Sequence, residues 1–309
     1  MAISAKDVSA LRVKTGSGMM DCKKALEEAN GNFDEAIKIL KEKGLIIAAK
    51  KAERIAAEGF VDILFDETLN TAVMAEVNTE TDFVAKNENF QEFVKGCLKV
   101  ILKDRPADIG ELLNKPFGGG LTVDGALKDL VMQVKENITF RRFAIVEGNL
   151  CTYIHNKGAI GVIIKVDADD KVLADDGFAE FKKNLALQIA SMSPDYIVRE
   201  DVPASVIAGE RERILEEIKE DEANAKKPEN VIEKMVDGKI RKYYETKCLF
   251  EQDYIKSEDK LTVAGYIEEY KKQAGGEVKI AEFYRYTKGE GLQKREDNFA
   301  EEIAQLTGQ

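Results

Sequence analysis

The side chains that usually do chemistry are scarce in this sequence. His155 is the single histidine, so a Ser-His-Asp triad would have to be built on it and a zinc site of several histidines is excluded. It follows an apolar strand at a turn, where a surface or interface histidine is expected. The four cysteines, Cys22, Cys97, Cys151 and Cys248, lie far apart and form no CxxC pair. That spacing offers neither a metal knot nor a redox dithiol, and scattered thiols suit a reducing, cytoplasmic compartment. No GxxxxGK[ST] occurs and no GxGxxG follows a strand, so a phosphate-cradling loop is not expected. Gly118-Gly119-Gly120 and Gly289-Glu290-Gly291 read as turns. Carboxylates are plentiful, but no motif nominates an acid–base pair. The residues therefore predict no catalytic centre, no metal and no cofactor.

One stretch asks for more than a structural explanation. Asn78-Thr79-Glu80-Thr81-Asp82-Phe83-Val84-Ala85-Lys86-Asn87 joins a hairpin to a helix. Thr81 and Asp82 are good cap residues, and an acid suits the positive end of a helix dipole. The helix that follows has the stripe Phe90, Phe93 or Val94, Cys97 and Ile101, with Phe83 near its rim. Two readings stand. Phe83 is a hydrophobic staple at the helix entry, or an acid and an aromatic are presented together from a fixed corner to pry into another protein.

The surrounding pattern predicts an α+β chain. Residues 1–47 read as a small three-helix module. Ser4-Ala5-Lys6-Asp7 forms a capping box, Val8 and Leu11 share a helical face, and Gly16 and Gly18 stop the first helix. A second helix carries Met20, Ala25, Leu26 and Ala29. A third, capped by Asn32 or Asp34, carries Phe33, Ile37 and Leu40 and ends at Gly44. About 45 residues bury little surface, so such a module is marginal alone and suits binding. Residues 48–57 form a helical connector. Beyond it the chain repeats itself: Glu58-Gly59 corresponds to Glu147-Gly148 at an offset of 89, and Val73, Ala75 and Val77 fall on Val162, Ile164 and Val166. Alternating residues flank turns at Thr68-Leu69-Asn70 and Asn156-Lys157-Gly158. Each hairpin precedes a helix with a Phe pair, Phe90/Phe93 or Phe178/Phe181. Each half ends in an apolar strand, Phe140–Val146 or Val278–Tyr284. The core is thus a duplicated antiparallel-sheet/helix unit, one half at 58–147 and the other at 148–202 with 239–292. An inserted helical hairpin (coiled-coil) arm at 203–238 has stripes Val206, Ile207, Ile214, Leu215, Ile218 and Val231, Ile232, Met235, Val236, broken at Lys226-Lys227-Pro228. A C-terminal helix spans Asn298–Gln309 within a module at 293–309.

Composition narrows the partner. The 309 residues are 44% hydrophobic and 33% charged, an ordinary globular balance. Lys and Arg number 46 against 57 Asp and Glu, a net charge of −11. Nucleic-acid affinity comes largely from cationic contacts, so direct nucleic-acid binding is not expected. No apolar run is long enough to span a membrane, and Met1–Asp7 does not resemble a signal peptide.

The motifs themselves resemble a known family. Leu11-Arg12-Val13-Lys14-Thr15-Gly16-Ser17-Gly18-Met19-Met20-Asp21-Cys22-Lys23-Lys24-Ala25-Leu26 looks like the N-terminal signature of bacterial elongation factor Ts. Thr81-Asp82-Phe83-Val84-Ala85-Lys86-Asn87 looks like its second signature, and Glu136-Asn137-Ile138 with Arg141-Arg142 resembles a third segment. Pro203 to Lys242 resembles its dimerisation arm. Lys135 stands where the family often has glycine, and Asp104–Asp124 looks longer than usual. The resemblance implies a UBA-like N-terminal module and a non-enzymatic guanine-nucleotide exchange factor. Its partner would be the GTPase elongation factor Tu, GDP-bound or nucleotide-free. It implies that Arg12, Met19 and Met20 grip the GTPase and that His155 faces its distal domain. It also implies that Thr81, Asp82, Phe83 and Val84 push beside the nucleotide, disturbing the partner's Mg²⁺ site. Homodimer and heterotetramer remain open, and an adaptor that binds a GTPase without altering nucleotide affinity is the alternative.

Overall fold

The computed structural model describes residues 3–51, 53–225 and 227–293. Helix α1 (Ala5–Thr15) starts on the expected capping box: Ser4 Oγ accepts the Asp7 N–H and the Asp7 carboxylate accepts the Ser4 N–H, each at 3.2 Å. Two otherwise orphaned donors are satisfied this way. Gly16 closes the helix in the left-handed region, φ +67°, where a Cβ would be strained. Helix α2 (Met19–Glu28) buries Cys22, Ala25 and Leu26. Helix α3 (Phe33–Lys51) is capped by Asn32 rather than Asp34, since Asn32 Oδ1 accepts the N–H groups of Asp34 and Glu35 at 3.0 and 3.1 Å. Val8, Leu11, Leu26 and Leu40 form the core of the three helices, with Phe33 and Ile37 packed against it. Ser4→Ala is expected to cost about 1 kcal/mol locally, read as faster amide exchange at residues 5–8.

The expected end of the third helix at Gly44 is corrected, because α3 continues to Lys51. Gly44 serves close packing instead: a Cβ there would lie 3.1 Å from Met132 Sδ. The connector expected at 48–57 therefore begins as the last turn of α3, with Ala52 outside the described residues.

By packing, the chain divides into two compact units. Among the described residues, one runs to Val146 and takes in Ile154–Gly161 and residues 286–293; the other is Glu147–Tyr153 with Val162–Arg285. In the first, β1 (Glu58–Asp66) pairs antiparallel with β2 (Thr71–Thr79), from Glu58↔Thr79 to Asp66↔Thr71. Then follow α4 (Asp82–Ala85), α5 (Glu88–Asp104), α6 (Ile109–Asn114), the ribbon β3 (Pro116–Gly118) and β4 (Leu121–Thr122), α7 (Val123–Val134) and β5 (Ile138–Glu147). The sheet order is β1-β2-β5. Val73, Ala75 and Val77 of β2 join Phe90, Phe93, Val94, Cys97 and Ile101 of α5 in one core. The other face of β2 is also buried; there Gly161 approaches so closely that a Cβ would lie 2.8 Å from Met74 Sδ. Gly118, Gly119 and Gly120 all have positive φ in the turn of the β3–β4 ribbon, so that cluster is a turn.

The second sheet, of β6 (Leu150–His155), β7 (Ile160–Ala168) and β8 (Val278–Thr287), is ordered β6-β7-β8. Between β7 and β8 lie α8 (Asp170–Leu173), α9 (Phe178–Met192), α10 (Ala204–Glu220), α11 (Glu222–Ala225), α12 (Glu229–Lys247) and α13 (Val263–Ala274). The repeat is geometric as well as sequential. β7 starts and ends 89 positions after β2, while α13 and β8 follow α7 and β5 by 140. The added length enters between α9 and α13, where the helical hairpin sits. Its seam is Ile214, Ile218, Val236 and Ile240, flanked by Ile207, Leu215, Ile232, Met235 and Tyr244. Val206 and Val231 of the expected stripes stay outside this seam, and α12 passes through Gly238 without a break. The helix expected at Asn298–Gln309 lies outside the described residues. Among the described residues no helix is long and apolar enough to cross a membrane.

Candidate partner-binding site

Strand β2 turns into α5 through a short corner built from Glu80 to Asn87. Thr81 holds extended backbone and caps α4, its Oγ1 accepting the Val84 N–H at 3.4 Å. Val84 and Ala85 are buried in the core that α5 shares with the sheet. With those two facing inward, the residue before them faces out: Phe83 is 80% exposed. A staple would need Phe83 packed against the helix, so that reading is overturned. Beside it, Asp82 accepts a 2.5 Å hydrogen bond from Lys86 Nζ. That bond holds its carboxyl below the usual carboxylate range, so the corner presents an ionised acid next to an unpacked aromatic ring.

A second layer fixes the corner. One Glu136 oxygen accepts from Thr79 Oγ1 at 2.9 Å and from the Thr81 N–H at 3.0 Å, and the other accepts from Thr81 Oγ1 at 2.7 Å. The next residue, Asn137, donates its N–H to the Glu80 carboxylate at 2.6 Å and its Nδ2 to the Arg54 carbonyl at 2.8 Å. The sequence placed Glu136 and Asn137 in a motif without giving them a task. The usable signal was their position at the entry of β5, beside the end of β2. Lys135, just before them, has φ +60° as the left-handed cap of α7, which accounts for glycine suiting that position. Its Nζ reaches Asp21 of α2 at 3.1 Å, so residues 135–137 link the three-helix module to the corner.

The N-terminal candidates lie on other elements than the corner. Arg12 is exposed near the end of α1, and Met19 and Met20 open α2 at 56% and 62% exposure. Val13, which sequence reasoning did not single out, is 85% exposed on α1. Three large apolar side chains left exposed within eight residues nominate this stretch as an interaction surface. His155 is exposed at the β6–β7 turn, whose Asn156 and Lys157 have φ of +47° and +52°. The structure thus places Thr81, Asp82 and Phe83 on one corner, Arg12 on α1, Met19 and Met20 at the start of α2, and His155 at the β6–β7 turn, while Val84 anchors the corner from within.

Known proteins carry the same pattern. A family model described as Elongation factor TS matches residues 80–290. The chain belongs to the elongation factor Ts family. An elongation factor Ts of Clostridioides difficile is 43% identical over 304 residues, covering 98% of both chains. Those of Syntrophotalea carbinolica and Symbiobacterium thermophilum are 44% and 45% identical over 311 residues, covering 99% of this chain and 100% and 98% of theirs. The elongation factor Ts family match opens at Glu80, on the corner itself. These relatives extend the likeness over the N-terminal patch.

Proposed function

We propose that this chain is a non-enzymatic guanine-nucleotide exchange factor for elongation factor Tu, acting in the cytoplasm during translation elongation. Family membership supplies the partner, and the observation that carries the mechanism is Phe83, unpacked at 80% exposure on a corner otherwise tied down. Asp82 and Phe83 enter the partner beside its nucleotide and disturb the Mg²⁺ that bridges the phosphates, weakening the grip on GDP. The N-terminal UBA-like module, residues 1–47, supplies affinity through Arg12, Val13, Met19 and Met20, and His155 adds a contact from the second hairpin. Residues 203–238, the coiled-coil arm, are the surface for self-association.

The coupling is reciprocal. Whatever factor this chain loosens GDP by, GDP loosens this chain by equally. A 10³-fold effect corresponds to about 4 kcal/mol, above the usual range of about 1–3 kcal/mol, and that argues for contacts from several modules at once. The test is stopped-flow release of a fluorescent GDP from the cognate elongation factor Tu. Acceleration by orders of magnitude, weakened by excess Mg²⁺, is the expected result. A complex whose GDP release equals that of the free GTPase would leave an adaptor in its place.

A further inference from the structure

The duplicated fold carries its own comparison for the corner. In the second half, β7 ends at Ala168 and Asp169 caps α8 directly, accepting the N–H groups of Lys171 and Val172 at 3.1 and 3.0 Å. Val172, like Val84, is buried. The residue in the place of Phe83 is Lys171. The corner is again tied to the following strand: the Asp169 carboxylate accepts the Glu277 N–H at 2.7 Å. Glu277 corresponds to Asn137 at the 140-residue offset. In the first half the same strand-entry N–H goes to a corner carboxylate too, that of Glu80 at 2.6 Å. This tie is common to both halves and belongs to the fold.

Glu136 has no such counterpart. Its place in the second half is Gly276, which has no side chain; a Cβ there would lie 2.4 Å from Asp169 Oδ1 and would displace the carboxylate that makes the tie. The three hydrogen bonds from Thr79 and Thr81 to Glu136 are an addition, made only in the half whose corner presents an aromatic. They hold the backbone N–H and the hydroxyl of Thr81, two residues before Phe83, and the Thr81 hydroxyl in turn caps α4. A carboxylate is an acceptor with two oxygens and no proton to donate. It therefore matches three donors without a clash, and charge-assisted bonds of this kind are the stronger class.

We propose that Glu136 is a positioning residue for nucleotide exchange: its carboxylate fixes the direction in which Asp82 and Phe83 leave the sheet. This rests on the exchange function proposed above. A group that must enter a partner at one angle loses rate when its support loosens, and a displacement of about 1 Å can cost on the order of 10²-fold. Affinity, held by the N-terminal patch, is untouched by that loss.

The experiment measures GDP release from elongation factor Tu over a range of factor concentrations, giving a limiting rate and a half-saturating concentration for each full-length variant. Glu136→Ala is expected to lower the limiting rate about tenfold or more, with half-saturation within about twofold of the unaltered chain. Glu136→Gln, which keeps one acceptor oxygen, falls between. Asp169→Ala removes the tie common to both halves from the other corner. It is expected to lower thermal stability while leaving the limiting rate within about twofold. A Glu136→Ala limiting rate equal to that of the unaltered chain overturns the positioning role, as does an equal loss in Asp169→Ala. Failure of the unaltered chain itself to accelerate release overturns the exchange function and the inference together, and is distinguished from the others by that control.

Discussion

Phe83→Ala is expected to slow factor-stimulated GDP release by about 10²-fold at saturating concentration, with binding to nucleotide-free elongation factor Tu within a few-fold of the unaltered chain. The ring is 80% exposed, so its removal opens no cavity and leaves the melting temperature in place. Its energy is realised only in the complex. A buried aromatic anchor at an interface is worth about 2–4 kcal/mol on truncation. If that energy drives nucleotide out rather than holding the partner, it shows in the rate and not in the affinity of the nucleotide-free complex. Met20→Ser should behave oppositely, weakening association while leaving the limiting rate near its original value. Stopped-flow release and titration of the nucleotide-free partner separate the two. Equal losses of rate and affinity in Phe83→Ala would end the division of labour between corner and patch.

The sequence could nominate Phe83 but could not orient it. Read as one helix, residues 83–101 place Phe83 at the rim of the stripe Phe90, Phe93, Cys97 and Ile101. The chain instead breaks between Lys86 and Glu88, and Asn87 caps a new helix by accepting the N–H groups of Asn89 and Phe90 at 2.9 and 3.4 Å. Phe83 thus sits on α4, whose phase is set by Val84 and Ala85, and the periodicity of α5 says nothing about it. Local signals were readable where the chain makes its own bonds: the Ser4 box, the Gly16 cap, the hairpin turns and the repeat. Gly44 misled because a glycine can stop a helix or admit a neighbour, and only the presence of Met132 decides which. Glu136 was beyond reach for a related reason, since its partners lie 55 and 57 positions away.

Glu76 is where long-range partners matter most for stability. Alternation along β2 puts Glu76 on the face opposite Val73, Ala75 and Val77, a face that a lone hairpin would leave to water. The side chain is fully buried instead. It takes the Arg141 Nη1 at 2.9 Å, the Arg142 Nε at 2.6 Å, the Gly289 N–H at 2.8 Å and the Asn78 Nδ2 at 3.1 Å. The Gly289 approach is itself tight, since a Cβ there would lie 2.0 Å from the Ala57 carbonyl oxygen. One carboxylate therefore joins β2, β5 and the residues after β8 within the first unit. Removing one partner of a buried ion pair typically costs about 3–5 kcal/mol, because the charges left behind lose their compensation. Arg141 and Arg142 keep 24% and 31% of their side-chain surface and can partly rehydrate, which places Glu76→Ala near the lower end, about 3 kcal/mol. At about 2–4 °C per kcal/mol for a chain of this class, the melting temperature should fall by roughly 6–12 °C. Amide exchange should rise first along β1, β2 and residues 287–290. A fall of under about 2 °C would mean that the arginines hold the three segments together without the acid between them.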